Sequence, residues 1–194
     1  MWRQNKMKTK YQKIWKLALP YLRGGVRKDF VLHTEGVVKA MEMILKLDGR
    51  GDESLLMPAA ILHDTGWSMV PKFLQLSEDK KDKIKALELH LEFAPEIIGK
   101  ILNQAGYEKE KISKIIDIVK AHKFKNPKEI NKRILIDADT MSDCFKKQFE
   151  SDMKSYKQSK ESLYNFRKKN NKFYSKAAEE IFRKEIVELI GKQK

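Results

Sequence analysis

The chain has 194 residues, 41% of them apolar and 35% charged, with a formal net charge of +14. That balance suits one globular unit able to bury a core; it excludes a disordered chain, and no apolar run approaches the ~20 residues of a bilayer-spanning helix. Cys144 is the only cysteine, which excludes an internal disulfide framework and makes a reducing cytoplasm the expected setting.

The charge is uneven. Residues 1–28 carry nine Lys/Arg and no acid, residues 146–194 carry fourteen against seven, and residues 29–145 sum to −2. Basic ends can attract nucleic acid, nucleotides or another anionic partner. Lysines interleaved with glutamates and aromatics read more simply as solvated helix faces. They lack the pattern of a nucleic-acid module, so nucleic acid is not the favoured partner. The basic N-terminal stretch has lysines throughout and no signal-peptide core, so neither a leader nor a membrane partner is expected.

In chain order, Val37, Met41, Ile44 and Leu45 share one face of a helix predicted over about 31–47. "DGRGDES" breaks it, and Asp52 or Ser54 caps a second helix that ends near His63. "SMVPKFLQLSED" reads as a loop or a short helical turn. Ile84, Leu87, Leu91, Ala94, Ile98 and Ile101 mark a long helix, with a kink or break expected at Pro95 and an end at Gly106. Ile112, Ile115, Ile116 and Val119 begin another, which stops before Pro127. "KEINKRILIDADTMSDCFKK" forms the next, and two charged amphipathic segments follow.

No hairpin signal, internal repeat or linker is evident, so the pattern predicts an all-α single domain over 1–194. In the tail, alternating aromatics and bases could stack on nucleic acid. The helical spacing of Leu163, Phe166, Phe173, Ile181 and Ile186 more simply describes packing against the core or another subunit, which leaves a homo-oligomer open. Cys144 reads as a small buried residue with no base beside it.

The four histidines carry more information. His33 shares a face with Val37, Met41 and Ile44, and His63 with Leu56, Ala59 and Ala60. His90 lies with Ala86, Leu87, Ala94 and Ile97, and His122 with Ile115, Ile118 and Val119. One histidine on an apolar face is usually a satisfied core residue. Four on separate helices would leave many polar nitrogens to satisfy, at about 1–3 kcal/mol each if unpaired. A metal centre accounts for the set, since neutral imidazole is a common metal ligand. Carboxylates for charge balance are at hand: Asp64 adjoins His63, and Asp139 faces inward with Leu135 and Ile136. Asp137 is turned about 200° from Asp139 on an ideal helix and so is not expected to share its role.

The order His33, His63-Asp64, His90, His122, Asp139 resembles the HD-domain superfamily of metal-dependent phosphohydrolases over about residues 30–145. "HTEGVVKAMEMI" looks like its first histidine helix and "AAILHDTGW" like its eponymous signature. "ELHLEFAPEIIGKILNQAGY" and "IIDIVKAHKF" are similar to the segments bearing the further histidines, and "ILIDADTMSD" to the last motif. There Thr140 and Met141 replace the usual basic residue and Leu, so no role for that basic residue carries over. The resemblance implies a helical HD-like core with the basic segment 146–194 added to it.

It also implies that His33, His63, Asp64 and Asp139 hold a first divalent ion. His90 and His122 match the extra ligands of two-metal members, in which Asp64 would bridge; the alternative is that they contact substrate or water beside one ion. Mn, Fe, Co, Ni, Zn and Mg all occur in the family, and mixed N/O ligation favours a transition metal. The expected reaction is hydrolysis of a phosphate ester, of a nucleotide or related small molecule, with Asp64 as the central catalytic residue. Lys123, Lys125, Arg27 and Lys72 are candidates for phosphate binding, each against the plainer reading of a solvated cation. Glu35 is a candidate proton-transfer group on the same terms. Two other classes stay open: a di-iron oxygenase of the same superfamily, and a nucleic-acid- or partner-binding module with a structural or vestigial metal site.

Overall fold

Lysine-rich as it is, the first helix, α1 (Thr9–Leu22), places Tyr11, Ile14, Trp15, Ala18 and Leu22 on one buried face. It is followed by α2 (Phe30–Asp48), α3 (Glu53–Leu62), a 3-10 segment (Thr65–Met69), α4 (Lys72–Leu76) and α5 (Lys80–Ala105). Then come α6 (Lys109–Lys120), α7 (Ile130–Ser142), α8 (Lys146–Ser155), α9 (Lys160–Asn170) and α10 (Lys176–Ile190). The computed structural model describes residues 8–123 and 126–190, and no strand occurs among them. None of the described helices is long and apolar enough to cross a membrane.

The core is built around α3. Every residue from Leu55 to Leu62 is buried, which is the signature of a helix enclosed on all sides. It packs against α1, α2, α6 and α7. Its start is fixed by Asp52, whose carboxylate accepts from Ser54 N at 2.8 Å. The preceding turn depends on Gly49, which ends α2 in the left-handed region at φ 66°.

Several expectations are corrected. Pro95 does not break the long helix: α5 runs through it without interruption. Ala94, Ile97 and Ile98 are buried on both sides of the proline, and this packing holds the helix despite the lost backbone bond. The segment expected as one helix over 128–147 divides at Asp143–Phe145 into α7 and α8. Three helices follow α7 instead of two segments.

In the tail, Leu163, Ile181 and Ile186 are buried, and Phe173 is half-buried against Phe182 at 5.0 Å between centroids. Phe166, expected to pack with them, is 57% exposed because it falls on the outer face of α9. α10 packs against α2, α7 and α9. Cys144 is buried, and burial pushes its thiol pKa up.

Candidate metal centre

Six side chains from separate elements meet where α3 ends. His33 stands in the first turn of α2, His63 caps the C-terminus of α3, and Asp64 leads into the 3-10 segment. His90 lies mid-way along α5, His122 two residues beyond α6, and Asp139 in the last turn of α7. All six are buried.

The donor atoms form two groups that share Asp64. His33 Nε2 lies 3.1 Å from Asp139 Oδ1, 3.3 Å from His63 Nε2 and 3.6 Å from Asp64 Oδ2. His63 Nε2 is 3.3 Å from that same Asp64 oxygen. The second oxygen, Asp64 Oδ1, faces His122 Nε2 at 3.8 Å and His90 Nε2 at 3.9 Å. Each carboxylate oxygen thus serves a different set of imidazoles.

The outer ring nitrogens set the tautomers. His63 Nδ1–H donates to Ala60 O at 2.9 Å, and His122 Nδ1–H donates to Val119 O at 2.6 Å. Ser142 Oγ donates to Asp139 O at 2.7 Å, so at 3.2 Å it accepts from His33 Nδ1–H. All three rings then turn an Nε2 lone pair toward the centre. His90 is fixed by stacking: Trp67 lies 4.6 Å from it at 8° between planes, with Phe30 5.8 Å from the same indole.

Gly66 lets the 3-10 segment approach α5 this closely. A Cβ there would stand 2.0 Å from His90 O and 3.1 Å from Ala94 N, so no larger residue fits without moving backbone.

Burial pushes the His90 pKa down to about 4. Burial and the Lys123 ammonium push that of His122 down to about 3, so both rings are neutral donors near pH 7. Burial opposes ionisation of Asp64 and Asp139 as well. The charge of the neighbouring His63, whose own pKa Asp64 raises against burial, outweighs it for Asp64 when that ring is protonated, and Lys123 does so for Asp139, holding both carboxyls well below their usual range.

A family model described as the HD domain matches residues 30–143, more than half of the chain. The chain belongs to the HD-domain family. Comparisons with curated proteins and with solved structures returned no match. HD-domain proteins are of the metal-dependent hydrolase type and bind divalent metals.

The residues present in this HD domain fit such an ion. His90 Nε2 and His122 Nε2 are buried and have no hydrogen-bond partner among the described residues. Leaving each so costs about 1–3 kcal/mol unless something binds there. Donors 3.1–3.9 Å apart suit ligand bonds of about 2.0–2.2 Å to a shared ion. Two triads have donor atoms that all lie within 4.8 Å of one another: His33, His63 and Asp64, and Asp64, His90 and His122.

A cleft of about 530 Å³ opens onto the centre. Of the four cations named from sequence, it brings in two. Arg27 and Lys123 line it, Lys123 in an ion pair with Asp139 Oδ2. Lys72 is exposed on α4 and does not line the cleft, and Lys125 lies outside the described residues. Glu35 is half-buried on α2 and does not line the cleft either.

Sequence reasoning missed Ser142 and Trp67, which orient ligands, and Asp143 and Lys172, which line the cleft. Ser142 had a readable signal, since it stands one helical turn after Asp139. Lys172 had none.

Proposed function

We propose that this HD domain hydrolyses a phosphate ester of a small, nucleotide-like molecule, with one or two divalent ions held by His33, His63, Asp64, Asp139, His90 and His122. The observation that carries this reading is Asp64, whose two oxygens face the Nε2 atoms of two separate sets of imidazoles. A divalent ion bound there would supply Lewis acidity that activates water and offsets phosphoryl charge.

The chain's own residues supply the rest. Lys123 neutralises the outer oxygen of Asp139 and keeps the inner one turned to the histidines, and its ammonium borders the cleft where substrate oxygens would lie. Arg27, held by Asp29 at 2.9 and 3.1 Å, adds positive charge at the mouth. The Phe30–Trp67–His90 stack shields the His90 side from water. The basic N-terminal stretch spends its apolar face on packing as α1, which weakens the binding-module reading.

The test is turnover of a broad phosphoester panel by protein reconstituted with Mn or Co, with Asp64→Ala as control and circular dichroism to verify folding. Release of phosphate by wild type and its loss in the variant are expected. No turnover of any ester overturns the reading; iron loading with a mixed-valence signal and O₂ uptake would move the site to the oxygenase class.

A further inference from the structure

One wall of the cleft comes from outside the family-matched residues. Asn170 at the end of α9, with Asn171 and Lys172 in the α9–α10 linker, lines it together with the 3-10 segment's Trp67. The linker is fastened on both sides of Lys172. Before it, Asn171 Nδ2 donates to Thr140 O and to Asp143 Oδ2, both at 3.3 Å. After it, the backbone N–H groups of Tyr174 and Ser175 donate to the two oxygens of buried Asp137 at 2.7 and 2.9 Å. Tyr174 Oη donates to Asn126 Oδ1 at 2.9 Å.

Asp139 and Asp137 therefore divide the labour of α7: one face serves the metal centre and the other holds the linker. The backbone that carries Lys172 is ordered before any ligand arrives, which lowers the entropic cost of binding.

The three cations of the cleft differ in their commitments. Arg27 is held by Asp29, and Lys123 by Asp139. Lys172 is exposed and makes no ion pair among the described residues. An uncommitted ammonium on a fastened backbone, at the rim of a cleft whose floor is a metal centre, suits an anion other than the one at the metals.

We propose that Lys172 is a specificity-determining residue that binds a second phosphoryl group of the substrate, remote from the reacting ester, and that Asp137 is its positioning residue. The substrate class is then a small molecule carrying at least two phosphoryl groups. This rests on the phosphoester reading above.

The experiment is calorimetric titration of the full Mn-loaded chain with adenosine 5′-monophosphate, 5′-diphosphate and 3′,5′-bisphosphate, with free phosphate measured in parallel. One of the two doubly phosphorylated ligands is expected to bind about 10-fold tighter than the monophosphate, as one added charge-assisted contact gives. Lys172→Ala should remove that preference and leave monophosphate affinity within about twofold, while Lys172→Arg restores it. Asp137→Asn should weaken the same preference at unchanged metal content, and Lys100→Ala, an exposed lysine elsewhere, should leave it intact. The proposal is overturned if wild type shows no preference for a second phosphoryl group, or if the preference survives in Lys172→Ala. Should Asp137→Asn fail to fold, the Ala and Arg variants of Lys172 decide alone. A Lys172-dependent preference without phosphate release from any ester would overturn the hydrolase reading and leave Lys172 as a phosphoryl-binding residue for a ligand that is not hydrolysed.

Discussion

The Nε2 atoms of His33 and His63 lie 3.3 Å apart, although the Nδ1 of each is already engaged, by Ser142 Oγ and by Ala60 O. Two imidazole lone pairs aimed at each other repel unless a cation or a shared proton lies between them. Asp64 Oδ2 and Asp139 Oδ1 close on the same point. Hydrogen bonds at both Nδ1 atoms orient these rings, so donors that could hold an ion are arranged by the fold itself.

Metal content should follow the two groups. Wild type is expected to retain up to two divalent ions per chain after dialysis, His90→Ala and His122→Ala one, and Asp64→Ala none. Ser142→Ala, which frees His33 to rotate, should lower affinity about 10–100-fold. Elemental analysis of folded variants checks this; two ions retained in Asp64→Ala would refute the shared-carboxylate geometry.

Gly66→Ala should be among the most damaging single substitutions outside the ligands. Its Cβ would stand 2.0 Å from a backbone oxygen of α5, so whole elements must move. A loss of about 3 kcal/mol or more is expected, or roughly 6–12 °C in Tm. Ion loading should fall on the His90 side. A variant with wild-type thermal stability would mean that the 3-10 segment does not sit against α5 as described.

Arg167 and Asp152 form a buried ion pair beneath the tail, both less than 5% exposed, and Arg167 also donates to Asp143 O. Arg167→Met strips buried Asp152 of its nearest cation, leaving Gln148 at 2.9 Å and Arg27 at 3.7 Å, and should cost about 3 kcal/mol. Arg167→Met with Asp152→Leu should cost less than the sum of the two single changes, because the second removes the charge that the first strands. Urea unfolding of all four proteins gives the coupling, and strict additivity would rule the pair out as an energetic unit.

Asp29 gives a pH dependence with a definite sign. Burial opposes its ionisation, but the hydrogen bond and charge of Arg27, with Ser151 and Gln148, bring its pKa from 3.8 to about 2. A carboxyl lowered on folding stabilises when ionised, so its contribution is complete above about pH 4 and is lost as pH falls toward 2. Asp29→Asn should cost roughly 1–2 kcal/mol near neutral pH, after allowing for the half-exposed Arg27. The difference from wild type should then close below pH 4. A difference independent of pH would place the cost in packing and not in charge.

Much of the fold was legible because helical periodicity is local. Val37, Met41 and Ile44 must share a face with His33 whatever packs on it, and the same rule turned Asp137 away from Asp139. The missed α1 carried the same signal, in Tyr11, Ile14, Trp15, Ala18 and Leu22, beneath a run of lysines. Pro95 misled because its local cost is outweighed by burial that only remote elements supply.

By itself, the sequence determined an all-α chain and the donor types, four imidazoles and two carboxylates on inward faces, with "ILHDTGW" at their centre. Only tertiary structure decided how these donors divide. The split of Asp64 between two histidine sets, the Ser142 bridge to His33 and the arrival of Lys172 at the cleft all join residues far apart in the chain. No local repeat encodes such meetings, because they depend on which buried faces pack together. An exposed lysine becomes distinctive only when its backbone is fastened beside a cleft.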